Sequence, residues 1–182
     1  MAYGGFNRID FSLDGFSVKP VIISPKRKLE LEQCLMMFFT GISRISGAIA
    51  STQTAVIRDR TAQLLEMKKI VDEAEKIICS HTDISEFGKL LDYSWTLKRE
   101  LTTNISTDYI DGIYQNAKSA GAIGGKLMGA GGGGFMALFA EPDVQPKIRK
   151  ALKDLVYVPF AFENAGSKII HYAPEEYDYF GE

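Results

Sequence analysis

The sequence predicts a two-layer α+β sandwich of the ferredoxin-like type, preceded by a β-hairpin. The chain has 182 residues, of which 46% are apolar and 24% charged, the proportions of a globular protein with a real core. From residue 29 onward, segments of strand and helix periodicity follow in the order strand, helices, strand, glycine turn, strand, helix, strand. This order is typical of an antiparallel sheet that carries its helices on one face.

The first two elements are a hairpin and a long strand. Over residues 3–20, apolar residues alternate with polar ones on both sides of Asp14-Gly15, which supplies a turn. A domain boundary is predicted near residue 25, so that residues 1–25 and 26–182 belong to different domains. Residues 29–40 alternate and become apolar on both faces, which predicts a strand whose far end is buried on both sides.

Three helices follow, and each has apolar residues at every third or fourth position. The predicted ranges are 44–80, 85–101, and a third that begins near 106–108 and ends at Gly121. Beyond them, the sequence predicts strands at 125–128 and 135–140, a short helix at 143–155, and final strands at 157–162 and 168–172.

Composition excludes several classes of function. A formal net charge of −2 gives no overall field for a nucleic-acid backbone, and no segment is long and apolar enough to cross a bilayer. Two histidines and two cysteines without metal-ligand spacing argue against a zinc site or a His-based triad, and no metal ligands are predicted. We expect a cytoplasmic protein that binds neither nucleic acid nor membrane.

The run Gly129-Ala130-Gly131-Gly132-Gly133-Gly134 is the most informative motif. Glycines lose more conformational entropy on folding than other residues, so such a run is useful only where the backbone adopts positive φ or approaches something closely. Two partners fit that requirement, a phosphate group or another stretch of backbone, and a tightly packed hairpin turn is the structural alternative.

The run is neither a dinucleotide fingerprint nor a Walker A loop. A dinucleotide fingerprint needs a helix directly after the glycines, whereas Phe135–Ala140 reads as a buried strand. No Gly-Lys-Ser/Thr follows either. The loop therefore joins two strands, and any anion that it binds would be held by amide groups of a turn.

The sequence Lys-Leu-Met-Gly-Ala-Gly-Gly-Gly-Gly-Phe over residues 126–135 resembles the third signature motif of the GHMP kinases, the galacto-, homoserine, mevalonate and phosphomevalonate kinases. Segments 3–7, 38–44 and 95–101 agree with this resemblance. The form of the motif is most similar to the bacterial branch that includes D-glycero-D-manno-heptose 7-phosphate kinases.

This resemblance implies a two-domain ATP-dependent kinase that phosphorylates a small sugar phosphate, with Mg²⁺ as a further cofactor. Kinases of this type carry an ATP loop, and usually a catalytic Asp, in an N-terminal domain, and neither is found here. Residues 1–25 would then be the last hairpin of that domain and 26–182 the GHMP C-terminal domain. We expect ATP and Mg²⁺ to bind mainly through the preceding domain, no catalytic residue in this chain, and no activity from the chain alone.

Five residues are candidates for contact with substrate. Thr40 and Arg44 lie at a strand-to-helix junction whose amides can hold an anion. Lys98 and Arg99 either complement a helix C-terminus or clamp the phosphate of the substrate. Lys126 precedes the glycines and either enters the cleft or is an edge-strand charge.

The sequence also allows alternative acceptors and alternative functions. The acceptor is expected to be a heptose 7-phosphate, phosphorylated at its anomeric hydroxyl, and fucose, another hexose or a mevalonate-type acceptor are the alternatives. The chain can instead be a stand-alone ferredoxin-like module that binds a ligand, or a dimerisation domain. Apolar surface on the hairpin of residues 3–20 favours self-association, for example as a homodimer.

Overall fold

The computed structural model describes residues 3–42 and 56–171, and these fall into two compact units. One unit consists of the N-terminal hairpin, up to residue 22, together with the segment from residue 161 onward. The other unit spans residues 23–160 and contains the larger sheet and all of the described helices. The C-terminal segment from residue 161 thus groups with the hairpin, whereas the sequence placed it with residues 26–182.

The smaller unit is built on the predicted hairpin. Strands β1 (Asn7–Ser12) and β2 (Gly15–Pro20) pair antiparallel across a turn at residues 13–14. The C-terminal segment adds a backbone hydrogen bond from the amide of Gly5 to the carbonyl of Glu163, at 3.0 Å. Phe11 keeps 81% of its surface exposed, so much of the apolar surface of this unit is uncovered.

A four-stranded antiparallel sheet forms one layer of the larger unit. Its strands are β3 (Leu35–Phe39), β4 (Gly124–Leu127), β5 (Phe135–Phe139) and β6 (Val156–Tyr157), in the spatial order β4-β5-β3-β6. Leu35 pairs with Phe139 and Phe39 with Phe135, so β3 and β5 are matched along their whole length. The two central strands therefore carry most of the sheet's contribution to the core.

The helices of this unit are α1 (Pro25–Cys34), α2 (Thr61–Cys79), α3 (Ser85–Arg99), α4 (Asp108–Ser119) and α5 (Gln145–Ala151). Trp95 of α3 and Phe38 of β3 belong to the same buried cluster, in which both are at most 1% exposed. Helix α3 packs on β4 and on α2. None of the described helices is long and apolar enough to cross a membrane. The predicted α+β class is confirmed.

The predicted strand at residues 29–40 is wrong in its first half, which belongs to helix α1. The side chain of Ser24 accepts a hydrogen bond from the amide of Arg27 at 3.1 Å, and Pro25 occupies the first turn. Both features begin helices, because they satisfy or remove amides that have no partner within the helix. Leu31 and Cys34, three residues apart, are the buried positions of this helix.

Other boundaries also differ from the predicted ones. Within the predicted helix at 44–80, residues 56–60 form a turn and helix α2 begins at Thr61, while residues 44–55 lie outside the described residues. Strand β6 ends at Tyr157 instead of 162, because Pro159 has no amide with which to continue the ladder. Residues 168–171 form no strand, since no neighbouring strand in the described chain supplies the hydrogen bonds.

Candidate functional site

The glycine run connects β4 to β5, as predicted, in a loop over residues 128–134 that we call the glycine loop. The amide of Met128 donates to the carbonyl of Phe135 at 2.8 Å and closes the base of the loop. Gly131 has a φ of +123°, and a Cβ there would lie 2.9 Å from the backbone oxygen of Ile105. Both its conformation and its surroundings therefore require glycine at this position.

Two segments outside the hairpin hold the backbone of the loop. The amide of Gly132 donates to the carbonyl of Ile105 at 2.9 Å, in the connection between α3 and α4. The amide of Gly134 donates to the carbonyl of Ile42 at 2.8 Å, in the segment that follows β3. These two amides already have acceptors, so an anion bound by the loop must use other donors or displace these bonds.

Thr40, the first of the predicted substrate contacts, supports the end of the loop. It is completely buried, and both its amide and its hydroxyl donate to the carbonyl of Gly134, at 2.8 and 2.9 Å. Its own carbonyl accepts from the hydroxyl of Tyr109 at 3.1 Å. In this conformation neither donor of Thr40 can contact a substrate.

Lys98 lies at the other end of the loop. This residue of α3 is 8% exposed, and its Nζ donates to the carbonyl of Leu127 at 3.3 Å and to that of Gly129 at 2.5 Å. Burial, and to a smaller extent the positive charge of Lys126, lower the pKa of Lys98 to about 8. The ammonium group is thus directed at backbone carbonyls rather than at solvent.

Lys126 is another of the cations that the sequence predicted to contact substrate. It lies on β4, directly before the loop, and no residue in the described part of the chain forms an ion pair or hydrogen bond with its side chain. Burial lowers its pKa below the ordinary value of 10.5, because a desolvated ammonium is disfavoured. A half-buried cation without an acidic partner is a group that an anionic ligand can pair with.

Arg99 follows Lys98 in sequence but faces a different environment. Its Nη2 donates to Oδ2 of Asp111 at 3.0 Å, and Oδ1 of Asp111 accepts from the hydroxyl of Ser106 at 2.6 Å. These side chains line an open cavity of about 390 Å³, together with Thr96, Glu100, Thr102 and Thr103. The carboxylate of Asp111 already neutralises much of the positive charge with which Arg99 could bind a phosphate.

The structure therefore brings together Thr40, Lys98, Lys126 and the glycine loop, and places Arg99 in a pair with Asp111. Arg44 lies outside the described residues. Sequence reasoning missed the backbone carbonyls of Ile42 and Ile105 that hold the loop, since every residue has a carbonyl and nothing in a sequence marks these two. Within residues 3–42 and 56–171, no group of three or more His, Cys, Asp or Glu side chains could hold a metal ion.

Comparison with known proteins gives a consistent result. The family model described as "GHMP kinases C terminal" matches residues 67–158, which is half of the chain. D-glycero-alpha-D-manno-heptose 7-phosphate kinase from Campylobacter jejuni is 33% identical over 175 residues, which cover 91% of this chain and 50% of that protein. The bifunctional fucokinase/GDP-fucose pyrophosphorylase from Arabidopsis thaliana is 28% identical over 141 residues, which cover 75% of this chain and 13% of that protein.

The fold is also found among solved structures. The mevalonate kinase from L. major superimposes with a TM-score of 0.67 at 21% identity, covering 87% of this chain and 51% of that one. At this identity the likeness establishes the fold alone. The chain spans about half the length of the heptose phosphate kinase and a much smaller part of the fucokinase protein.

Proposed function

This chain belongs to the GHMP kinase family, and we propose that it is the C-terminal portion of an ATP-dependent sugar-phosphate kinase. In the reaction, the acceptor hydroxyl oxygen would form a bond to the γ-phosphorus of ATP as the bond from that phosphorus to the bridging oxygen breaks. ADP leaves and the hydroxyl proton is released. The observation that carries the proposal is the glycine loop, kept in one shape between two buried strands by three other segments of the chain.

The residues fall into two roles under this proposal. The glycine loop and Lys126 would lie next to the transferring phosphate, since phosphoryl transfer depends mainly on positioning and on compensation of negative charge. Thr40 and Lys98 would act through the loop, because both donate to its backbone carbonyls. Arg99 would serve at the cavity that it shares with Asp111. The role of Arg44 stays a prediction.

Nucleotide and metal would be held mainly outside the described residues. Asp111 is bonded to Arg99 and Ser106, and no cluster of metal-ligating side chains occurs in residues 3–42 and 56–171. These residues do not fit a Mg²⁺ site, so we assign no step to a metal held by them. We therefore propose that residues 1–25 end a preceding nucleotide-binding domain and that the chain by itself is inactive.

The acceptor that we propose is a heptose 7-phosphate, phosphorylated at its anomeric hydroxyl. The relative from Campylobacter jejuni supports this choice, since its match extends over 91% of the chain. Lys126, which has no acidic partner among the described residues, suits an acceptor that brings a phosphate of its own. Fucose and mevalonate are the alternatives that the other similarities suggest.

Two assays test these statements. Purified chain incubated with ATP, Mg²⁺ and D-glycero-D-manno-heptose 7-phosphate should release no more ADP than a heat-inactivated sample. For the second assay, the chain replaces the corresponding half of the Campylobacter jejuni relative. The hybrid should release ADP with heptose 7-phosphate and not with fucose or mevalonate. Turnover by the chain alone would contradict the proposed inactivity, and a hybrid active only on fucose or mevalonate would contradict the proposed acceptor.

A further inference from the structure

Lys98 is a buried cation on helix α3, which packs on β4. A lysine ammonium is costly to bury, and residues of this type are almost never fully buried unless they are paired. Lys98 has no carboxylate partner among the described residues, and its two hydrogen bonds go to the carbonyls of Leu127 and Gly129. These two hydrogen bonds offset part of the desolvation of the ammonium group.

The carbonyls that Lys98 contacts lie at the start of the glycine loop. Leu127 is the last residue of β4, and Gly129 is the first glycine of the loop. The carbonyl of Gly129 belongs to a residue with a φ of +74°, where the chain leaves the strand direction. Because a charge-assisted hydrogen bond is about twice as strong as a neutral one, Lys98 can fix the departure angle of the loop.

The end of the loop is held differently. Thr40 donates two neutral hydrogen bonds to the carbonyl of Gly134, and the amide of Gly134 donates to Ile42. In the middle of the loop, the amide of Gly132 donates to the carbonyl of Ile105. Lys98 thus brings a charged donor to the loop, and it acts at the end where the loop begins.

We infer that Lys98 is a positioning residue, whose ammonium fixes the start of the glycine loop, rather than a clamp for the phosphate of the substrate. The importance of the loop for phosphoryl transfer rests on the proposed function, but the contact itself does not. Among the described residues, Lys126 is the other charged group that shifts the proton equilibrium of Lys98. Loss of the proton from Lys98 reduces the two hydrogen bonds to neutral strength.

Amide hydrogen exchange in the full 182-residue chain, followed by NMR, tests this inference without any kinase assay. The variant is Lys98→Met, which keeps the length and volume of the side chain and removes its donors. The matched control is Lys89→Met on the same helix, where the lysine is exposed and pairs with Glu86. The amide of Gly132 reports on the loop, and that of Ala117, fully buried in α4, reports on global opening.

In Lys98→Met we expect the exchange rate of Gly132, relative to Ala117, to rise by about tenfold or more. Lys89→Met should leave this ratio unchanged, and Lys98→Arg should restore part of the protection. An unchanged ratio in Lys98→Met would overturn the inference. So would an equal rise at both amides, since that indicates a loss of global stability only.

A second measurement on the unmodified chain covers the case in which Lys98→Met does not fold. The ¹³C shifts of the Leu127 and Gly129 carbonyls should titrate together with a midpoint near the pKa of Lys98, about 8. Carbonyl shifts that stay constant while the ¹³Cε shift of Lys98 itself titrates, or that titrate with a midpoint different from it, would overturn the inference. Neither experiment depends on ATP turnover, so failure of the proposed function and failure of this inference are distinguishable.

Discussion

Two antiparallel hairpins occur in residues 3–42 and 56–171, and their connections differ sharply. Between β1 and β2, two residues suffice, and a Cβ on Gly15 would meet no atom within 4 Å. Between β4 and β5, seven residues are used, and a Cβ on Gly131 or Gly133 would come within 3 Å of atoms in other segments. The first turn only reverses the chain. The second is shaped by its surroundings, which is the arrangement expected of a loop that must present its backbone in one conformation.

The largest difference should appear when one aromatic side chain is removed from each of the two sheets. Phe38 is 1% exposed and packs against Tyr157, whereas Phe11 is 81% exposed. We expect Phe38→Ala to lower the free energy of unfolding by about 3–5 kcal/mol. Phe11→Ala should change it by less than about 0.5 kcal/mol. Urea denaturation followed by circular dichroism measures both, and similar losses would show that the two hairpins do not differ in the way described.

The next effect concerns the buried charge at the start of the glycine loop. The unfolded chain keeps the proton of Lys98 up to a pKa near 10.5, whereas the folded chain releases it near 8. Between these values the unfolded state binds more protons, so the contribution of Lys98 makes stability rise with pH. We expect the stability of the unmodified chain minus that of Lys98→Met to rise by about 3 kcal/mol between pH 7 and 10.5. A difference that is flat or falls with pH would mean that Lys98 is not buried as described.

A smaller effect is expected from a methyl group inside the glycine loop. Gly131→Ala places a Cβ against the backbone of Ile105 at a φ of +123°, and should cost about 2 kcal/mol. Gly129→Ala is the control, because the φ of +74° is also positive but the added Cβ would meet no atom within 4 Å. This substitution should cost about 1 kcal/mol. Chemical denaturation with Trp95 fluorescence as the signal compares the two. A larger loss in Gly129→Ala would argue that conformation, not contact with Ile105, limits the loop.

The smallest effect is expected at Thr40. Thr40→Val keeps the shape of the side chain and removes the hydroxyl bond to Gly134, while the amide bond to the same carbonyl remains. A loss of about 1 kcal/mol is expected in thermal or chemical unfolding. Thr96→Val serves as the control, since that hydroxyl bonds only within an exposed helical turn, and it should change stability by less than about 0.5 kcal/mol. Equal losses would remove Thr40 from the set of groups that support the loop.

Sequence alone was sufficient for the two hairpins and for the fold class. Asp14-Gly15 and the glycine run are local signals, and each predicted its connection between strands. The prediction failed at residues 29–34, where Leu29 and Leu31 suggested alternation but Ser24 and Pro25 begin a helix. Both residues could have indicated that helix.

The supports of the glycine loop could be predicted only in part. The sequence offered Lys98 as a cation that complements a helix C-terminus or clamps the phosphate of the substrate. Its direction could not be derived, because the contact depends on where α3 lies relative to β4. Likewise, Thr40 was selected as an anion contact from its position after a strand, and the structure instead gives both of its donors to Gly134. Which acceptor a donor of this kind contacts depends on tertiary packing, which the local sequence does not specify.

The most direct measurement of the central claim is the kinase activity of the hybrid in which this chain completes the Campylobacter jejuni relative, compared with the same hybrid carrying Gly131→Ala or Gly129→Ala. If the glycine loop positions the transferring phosphate, the unmodified hybrid releases ADP in the presence of heptose 7-phosphate. Gly131→Ala should then lower kcat by about a hundredfold, because small displacements of a positioning group have effects of that size. Gly129→Ala should lower kcat far less. A folded hybrid that is inactive on heptose 7-phosphate, fucose and mevalonate alike, or one whose activity is unaffected by Gly131→Ala, would contradict the account.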